Sequence, residues 1–197
     1  VWENEIFNRS LGTVYSVGVP MPASLPEVDV DFDGKGILRG RPGNPIAAPL
    51  VLVDTSIELV GDVVARDKPR DMVVVRTPPG PVRAVQRVMG VFDDGWTGGQ
   101  FSFIRYACNG GTVVAVLESD STLRTTPVNV TPSSNDPQSP VAMPPSGQVT
   151  VRTSVKPDDS GICAVSYSVD STVVPQQVNG SEDTRALGVR VRSITYE

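Results

Sequence analysis

The chain is predicted to be all-β, a jelly-roll-type β-sandwich of about ten strands joined by long Pro/Gly-rich loops, and three observations carry that expectation. Proline and glycine, 18 of each in 197 residues, interrupt the chain too often for long helices. Valine and threonine fill the intervals, and side chains branched at Cβ favour extended backbone. The intervals alternate apolar with polar residues, as a strand does when one face meets a core, and turn signals recur roughly every 8–12 residues. With 39% apolar content the chain can bury one sizeable core or two small ones, and its length leans to a single β domain or a domain with a small partner. One sandwich domain over residues 1–197 is therefore expected.

Residues 1–10 mix Trp2, Ile6 and Phe7 with Glu3, Asn4 and Glu5, a pattern open to a short helix or an extended arm. Residues 13–17 read as a strand, and Pro20, Pro22 and Pro26 then impose an extended path that cannot donate to a ladder. Residues 28–33 alternate cleanly. Val28, Val30 and Phe32 would face the core, with Asp29, Asp31 and Asp33 opposite. Residues 35–49 read as a long loop with no element of its own. Short β runs at 50–53, 56–60 and 63–66 have meander spacing, and runs at 72–76 and 82–88 continue them, the latter broken in phase as by a bulge. Residues 112–117 form an apolar run short enough to be a buried strand. Residues 131–140 and 144–147, rich in proline and serine, read as a linker. Runs at 148–155 and 162–169 alternate, and 187–196 changes phase in a way that a bulge near Arg192 or Ser193 reconciles.

The stretch 92–111 joins most of these features. Asp94-Gly95 and Gly98-Gly99 are turn punctuation. The strand after them puts Ser102, Ile104, Tyr106 and Cys108 on one face and Phe101, Phe103 and Arg105 on the other, so a central position is expected. Trp96 in the turn either lids the core or faces a ligand. Cys108 and Cys163, the two cysteines, lie on expected strands and are open to two readings, buried thiols or one disulfide.

Several chemistries are excluded. Histidine is absent, which removes Ser-His-Asp and Cys-His sites and imidazole zinc sites. No P-loop or nucleophile-elbow motif is present, and the adjacent acids Asp93-Asp94 and Asp158-Asp159 point apart on extended chain, unlike a glycosidase pair. A net charge of −5 with scattered arginines argues against nucleic acid. Asp29-Val30-Asp31-Phe32-Asp33-Gly34 opens like a calcium loop, but Gly40 stands where a bidentate glutamate is required. Asp29, Asp31 and Asp33 are thus either a solvated acidic face or ligands lent to calcium. Sequons occur at Asn8, Asn129 and Asn179. No apolar run approaches eighteen residues, no secretory leader is seen, and the missing initial Met points to a piece of a longer protein.

Several phrases occur together: Trp2-Glu3-Asn4-Glu5-Ile6-Phe7, Asp54-Thr55-Ser56-Ile57-Glu58-Leu59, Val64-Ala65-Arg66-Asp67, Asp94-Gly95-Trp96-Thr97-Gly98, Arg105-Tyr106-Ala107-Cys108-Asn109-Gly110-Gly111 and Asp183-Thr184-Arg185-Ala186-Leu187-Gly188-Val189. In this order, over nearly the whole chain, they resemble the C-terminal extracytoplasmic region of actinobacterial GT-C membrane glycosyltransferases, of the cell-wall arabinosyltransferase or mannosyltransferase kind. The resemblance implies a carbohydrate-binding-module-like β-sandwich outside the cytoplasmic membrane, with residues 1–49 as an arm or connection to a membrane domain. It also implies a Cys108–Cys163 bridge, and no catalytic role for any residue here.

The expected function is a non-catalytic module that binds or positions a cell-wall or surface glycan for the membrane domain of the same parent chain. Trp96, Tyr106, Phe101, Asp93, Asp94 and Arg105 are the candidate contacts, because sugar rings offer C–H faces to aromatic planes and hydroxyls to charged groups. The alternatives are a purely structural or partner-binding sandwich, and a jelly roll of a viral or surface assembly. No cofactor is expected apart from the calcium considered above.

Overall fold

Branched side chains and frequent prolines give a chain of almost continuous extended backbone. The computed structural model describes Val17 and residues 30–40, 43–136 and 138–197, without the side chain of Arg70. The expected strand at 13–17, apart from Val17, the phrase beginning at Trp2, the sequon at Asn8 and the candidate ligand Asp29 lie outside these residues. Among the described residues there are fourteen strands, a 3-10 turn at Lys68–Arg70 and one short helix, α1 (Pro175–Asn179). The β-sandwich class expected from the sequence is the class observed. The chain divides into two compact units, Val1–Ala84 and Val85–Glu197.

In the first unit β1 (Val30–Phe32) pairs antiparallel with β2 (Leu38–Gly40). The strand β2 falls inside the stretch expected to be a bare loop. Burial of Leu38 and Ile46 orders it, and backbone bonds from Leu38 N–H to Val82 O and from Val82 N–H to Ile46 O, 2.9 and 2.8 Å, hold it. Next come β3 (Leu50–Asp54), β4 (Ile57–Leu59), β5 (Asp62–Asp67) and β6 (Met72–Arg76). The expected meander is not followed: β3 and β5 flank β6 in a three-stranded sheet. Cross-strand partners share a face, so pairing Val53 with Val73 gives both a buried position.

The second unit contains β7 (Ala84–Val91), β8 (Thr97–Arg105), β9 (Gly111–Ser119), β10 (Val128–Ser133), β11 (Val141–Met143), β12 (Gly147–Val155), β13 (Cys163–Val169) and β14 (Arg190–Tyr196). Five of them run in the order β11-β10-β13-β8-β7, and β12-β9-β14 form a three-stranded sheet. Phe101, Phe103, Val113, Ala115, Leu117, Val151, Val165 and Tyr167 alternate inward from both sets to make the core. The rings of Phe101 and Tyr167 stack with centroids 4.6 Å apart.

The central strand β8 keeps period two only as far as Arg105. Ala107 then adopts a left-handed backbone, φ 49°, which breaks the alternation and turns both Tyr106 and Cys108 inward. From there the chain crosses to β9. A Cys108–Cys163 disulfide, Cα atoms 5.7 Å apart, fastens this crossing to the first residue of β13. The bulge expected in the last strand lies between Val191 and Ser193. The one in β7 lies between Met89 and Val91, later than the phase break predicts.

β10 runs into the stretch read as a linker, and β11 lies between its two parts. Pro132 is accommodated for a geometric reason. Asn129 O accepts from Asp170 N–H on the side facing β13, so the nitrogens of even-numbered β10 residues point the other way. On that other side β11 pairs only Val128, Asn129 and Val130 and has ended before Pro132.

Candidate functional site

The turn between β7 and β8 is fixed by its own backbone before any side chain acts. Phe92 N–H donates to Trp96 O at 2.7 Å and Gly95 N–H to Phe92 O at 2.8 Å, with Gly95 at φ 85°. Val191 N–H then donates to Gly95 O at 2.8 Å, and Trp96 bridges Arg190, so the start of β14 carries the turn.

Behind it Thr97, fully buried, exchanges bonds with Val189: its N–H and hydroxyl donate to Val189 O at 2.9 and 3.0 Å, and its Oγ1 accepts Val189 N–H at 3.1 Å. The approach is so close that a Cβ on Gly188 would lie 2.3 Å from Gly98 O. Arg124, 7% exposed, secures the same strand from below, donating to Gly188 O at 2.9 Å and Leu187 O at 3.2 Å. Its loss of water pulls the guanidinium pKa down, while Asp170 pushes it up.

On this support sits a polar and aromatic cluster. Arg185 Nη2 lies 2.6 Å from Asp94 Oδ2 and 2.7 Å from Asp183 Oδ2, so one guanidinium bridges two carboxylates. The same guanidinium stands 4.8 Å over the Phe92 ring, which is 37% exposed. Arg190 Nε donates to Asp94 O at 3.0 Å, and Arg192 pairs with Glu118 at 2.7 Å. Hydrogen bonds from Arg185 hold Asp94 below the usual carboxylate range against the burial that would raise it, and they hold Asp183 low in the same way. The pairing also raises the pKa of Arg185 above its ordinary value. Carboxylates kept ionised in this way accept hydrogen bonds and are poor proton donors.

The expected contact residues separate into two groups. Asp93, Asp94 and half-buried Trp96 lie at the turn. Arg105 and Tyr106 lie at the far end of β8, roughly 30 Å away at about 3.4 Å per residue. There Arg105 donates to Gln86 Oε1 at 3.0 Å and stands 5.0 Å over the Tyr196 ring. Phe101, 2% exposed, and Tyr106, 7% exposed, belong to the core and present no face to a ligand. Phe92, Asp183, Arg185, Arg190 and Arg124 enter the site unforeseen. The signal for two of them was the Asp183-Thr184-Arg185 phrase, whose spacing gives no hint of the turn it meets.

Asp31 and Asp33, two of the three acids read as a calcium candidate, accept hydrogen bonds within the chain. Asp33 Oδ1 accepts the N–H groups of Lys35 and Ile37 at 2.8 and 2.9 Å, and Oδ2 accepts from Arg39 Nε at 2.6 Å. Burial raises its pKa, but these bonds outweigh it and hold the carboxyl low. Asp31 Oδ1 accepts Phe32 N–H at 2.7 Å. Among the described residues no group of three potential metal ligands converges, and no helix is long and apolar enough to cross a membrane.

No protein-family model matches the chain, and neither a curated protein nor a solved structure does.

Proposed function

We propose that this chain is a non-catalytic glycan-recognition module, acting outside the cytoplasmic membrane to bind or position an acceptor for a membrane glycosyltransferase of cell-wall or surface-glycan assembly. The observation that carries the reading is the pairing of exposed Phe92 and half-buried Trp96 on one hydrogen-bonded turn, beside Asp93, Asp94, Arg185 and Arg190. Aromatic planes accept the C–H face of a sugar, and fixed carboxylates and guanidinium groups receive its hydroxyls. The arginines and acids neutralise one another, which suits an uncharged saccharide better than a polyanion. The disulfide supports an oxidising compartment. The resemblance to GT-C C-terminal regions supplies the parent enzyme and the attachment to its membrane part.

The competing reading, a structural sandwich that packs on the parent's membrane domain, is favoured by one feature: Arg185 already covers the Phe92 ring. Titration of the isotope-labelled chain with neutral cell-wall oligosaccharides separates the two. Recognition predicts shifts at the Phe92 to Trp96 turn, weakened roughly three- to tenfold by Phe92→Ala or Trp96→Ala, as the loss of one aromatic contact implies. A spectrum unchanged at millimolar sugar would leave the structural reading.

A further inference from the structure

The last strand of a sheet exposes a row of unpaired N–H and C=O groups, and proteins blunt such edges with short strands, prolines, bulges or charge. In the second unit β11, β12 and β14 each end a sheet. β11 is 3 residues long and runs into Pro144-Pro145. β14 is broken by its bulge and carries Arg190 and Arg192. β12 is long and regular by comparison: 9 residues pair with β9 in unbroken register, with no proline among them and one charge, Arg152.

The direction of its free groups follows from the ladder. Thr112 exchanges both bonds with Glu197, N–H to O at 2.9 Å each way, so even-numbered β9 residues face β14 and odd-numbered ones face β12. In the observed register the odd residues of β12 meet the odd residues of β9. Gln148, Thr150, Arg152 and Ser154 therefore direct their backbone groups away from the sheet. Ser154 O is taken by the Ser134 hydroxyl at 3.1 Å, and Asn135 and Asp136 cover Lys156 beyond it. Among the described residues the open edge is thus 147–153, with Thr150 at its midpoint.

We propose that this edge pairs antiparallel, across a two-fold axis, with the same edge of a second copy, joining two β12-β9-β14 sheets into one. Centred on Thr150, the register sets Thr150 against its counterpart and Gln148 against Arg152 of the other copy, so no like charges meet. Sliding toward the carboxyl end would bring Arg152 against Arg152, or would require the Ser154 carbonyl that Ser134 already holds. A two-fold contact uses the β12 edge of each copy once, and β11 and β14 of the same unit are blunted, so the contact closes as a dimer instead of growing into a filament.

Sedimentation of the 197-residue chain over roughly 1–200 µM, the range of small transient interfaces, tests the proposal. The average mass should rise from monomer toward dimer. Thr150→Pro removes an N–H that points outward and so spares the ladder to β9, while Thr150→Lys sets two cations face to face. Each should weaken association at least about tenfold with the melting temperature nearly unchanged. Thr150→Cys introduces a lone thiol, since both native cysteines are bridged, and should cross-link to its counterpart on oxidation. A monomer throughout, a dimer indifferent to both substitutions, or a Thr150→Cys chain that does not cross-link would overturn the assignment.

Discussion

At the scale of single residues, close backbone approach and paired charge decide what can be changed. Gly188 sits where a Cβ would strike Gly98 O at 2.3 Å and Thr97 Oγ1 at 2.8 Å, and the first of these is backbone that cannot swing aside. Gly188→Ala should destabilise the chain by roughly 1–3 kcal/mol or more in urea unfolding, as overpacking does. Wild-type stability in that variant would contradict the packing described. The carboxylates around Arg185 set a pH dependence. Asp94 and Asp183 have folded pKa values below the ordinary 3.8, so the stability they contribute is present above about pH 4 and lost as pH falls through the lowered values. Melting temperature measured from pH 7 to pH 2 should fall in that acidic window, and Arg185→Met should flatten part of the slope. A slope unaltered by Arg185→Met would remove the pair from the account. Sequence alone showed Asp94 in one turn and Arg185 in a separate phrase ahead of the last strand. Their meeting depends on the Thr97–Val189 bonds, which join residues 92 positions apart.

At the scale of elements, the disulfide and the strands around it show where pattern reading succeeds and where it stops. The bridge closes a separation of 55 residues and in the chain-entropy treatment is worth about 4 kcal/mol at 25 °C. Replacing both cysteines by serine should lower stability by about that amount without altering the far-ultraviolet spectrum. Retained stability would mean that β8 and β13 hold the crossing unaided. Alternation identified β12 and β13 because their faces are uniform: Cys163, Val165, Tyr167 and Val169 are all buried. It misread the end of β8, where the left-handed Ala107 ends the alternation and Tyr106 and Cys108, of opposite parity to the inward Phe101 and Phe103, are buried as well. It missed β10 and β11 because proline was counted as a break, whereas Pro132 points its nitrogen past the end of β11.

At the scale of the molecule, the division falls at Ala84/Val85, one residue into β7, and the large core cluster draws only on residues after it. Residues 85–197 expressed alone should therefore give a dispersed amide spectrum and a cooperative melt. A collapsed spectrum would show that this cluster is insufficient by itself. The same alternation continues through β3 to β6 and through β7 to β9, so the sequence is open to one sizeable core or to two small ones. Periodicity reports that a strand has a buried face. It does not report which core that face belongs to.

The amino-acid sequence by itself determined the class of this protein, because proline and glycine spacing excludes long helices and period-two patterns can be satisfied only by sheets with one buried face. It also determined, through the absence of histidine, that no imidazole acts here. Which strands become neighbours, where β8 ends, and that Phe92, Asp94, Trp96 and Arg185 share one corner were decided only in three dimensions. Those relations rest on hydrogen bonds and close approaches between residues distant along the chain, and local pattern holds no record of them.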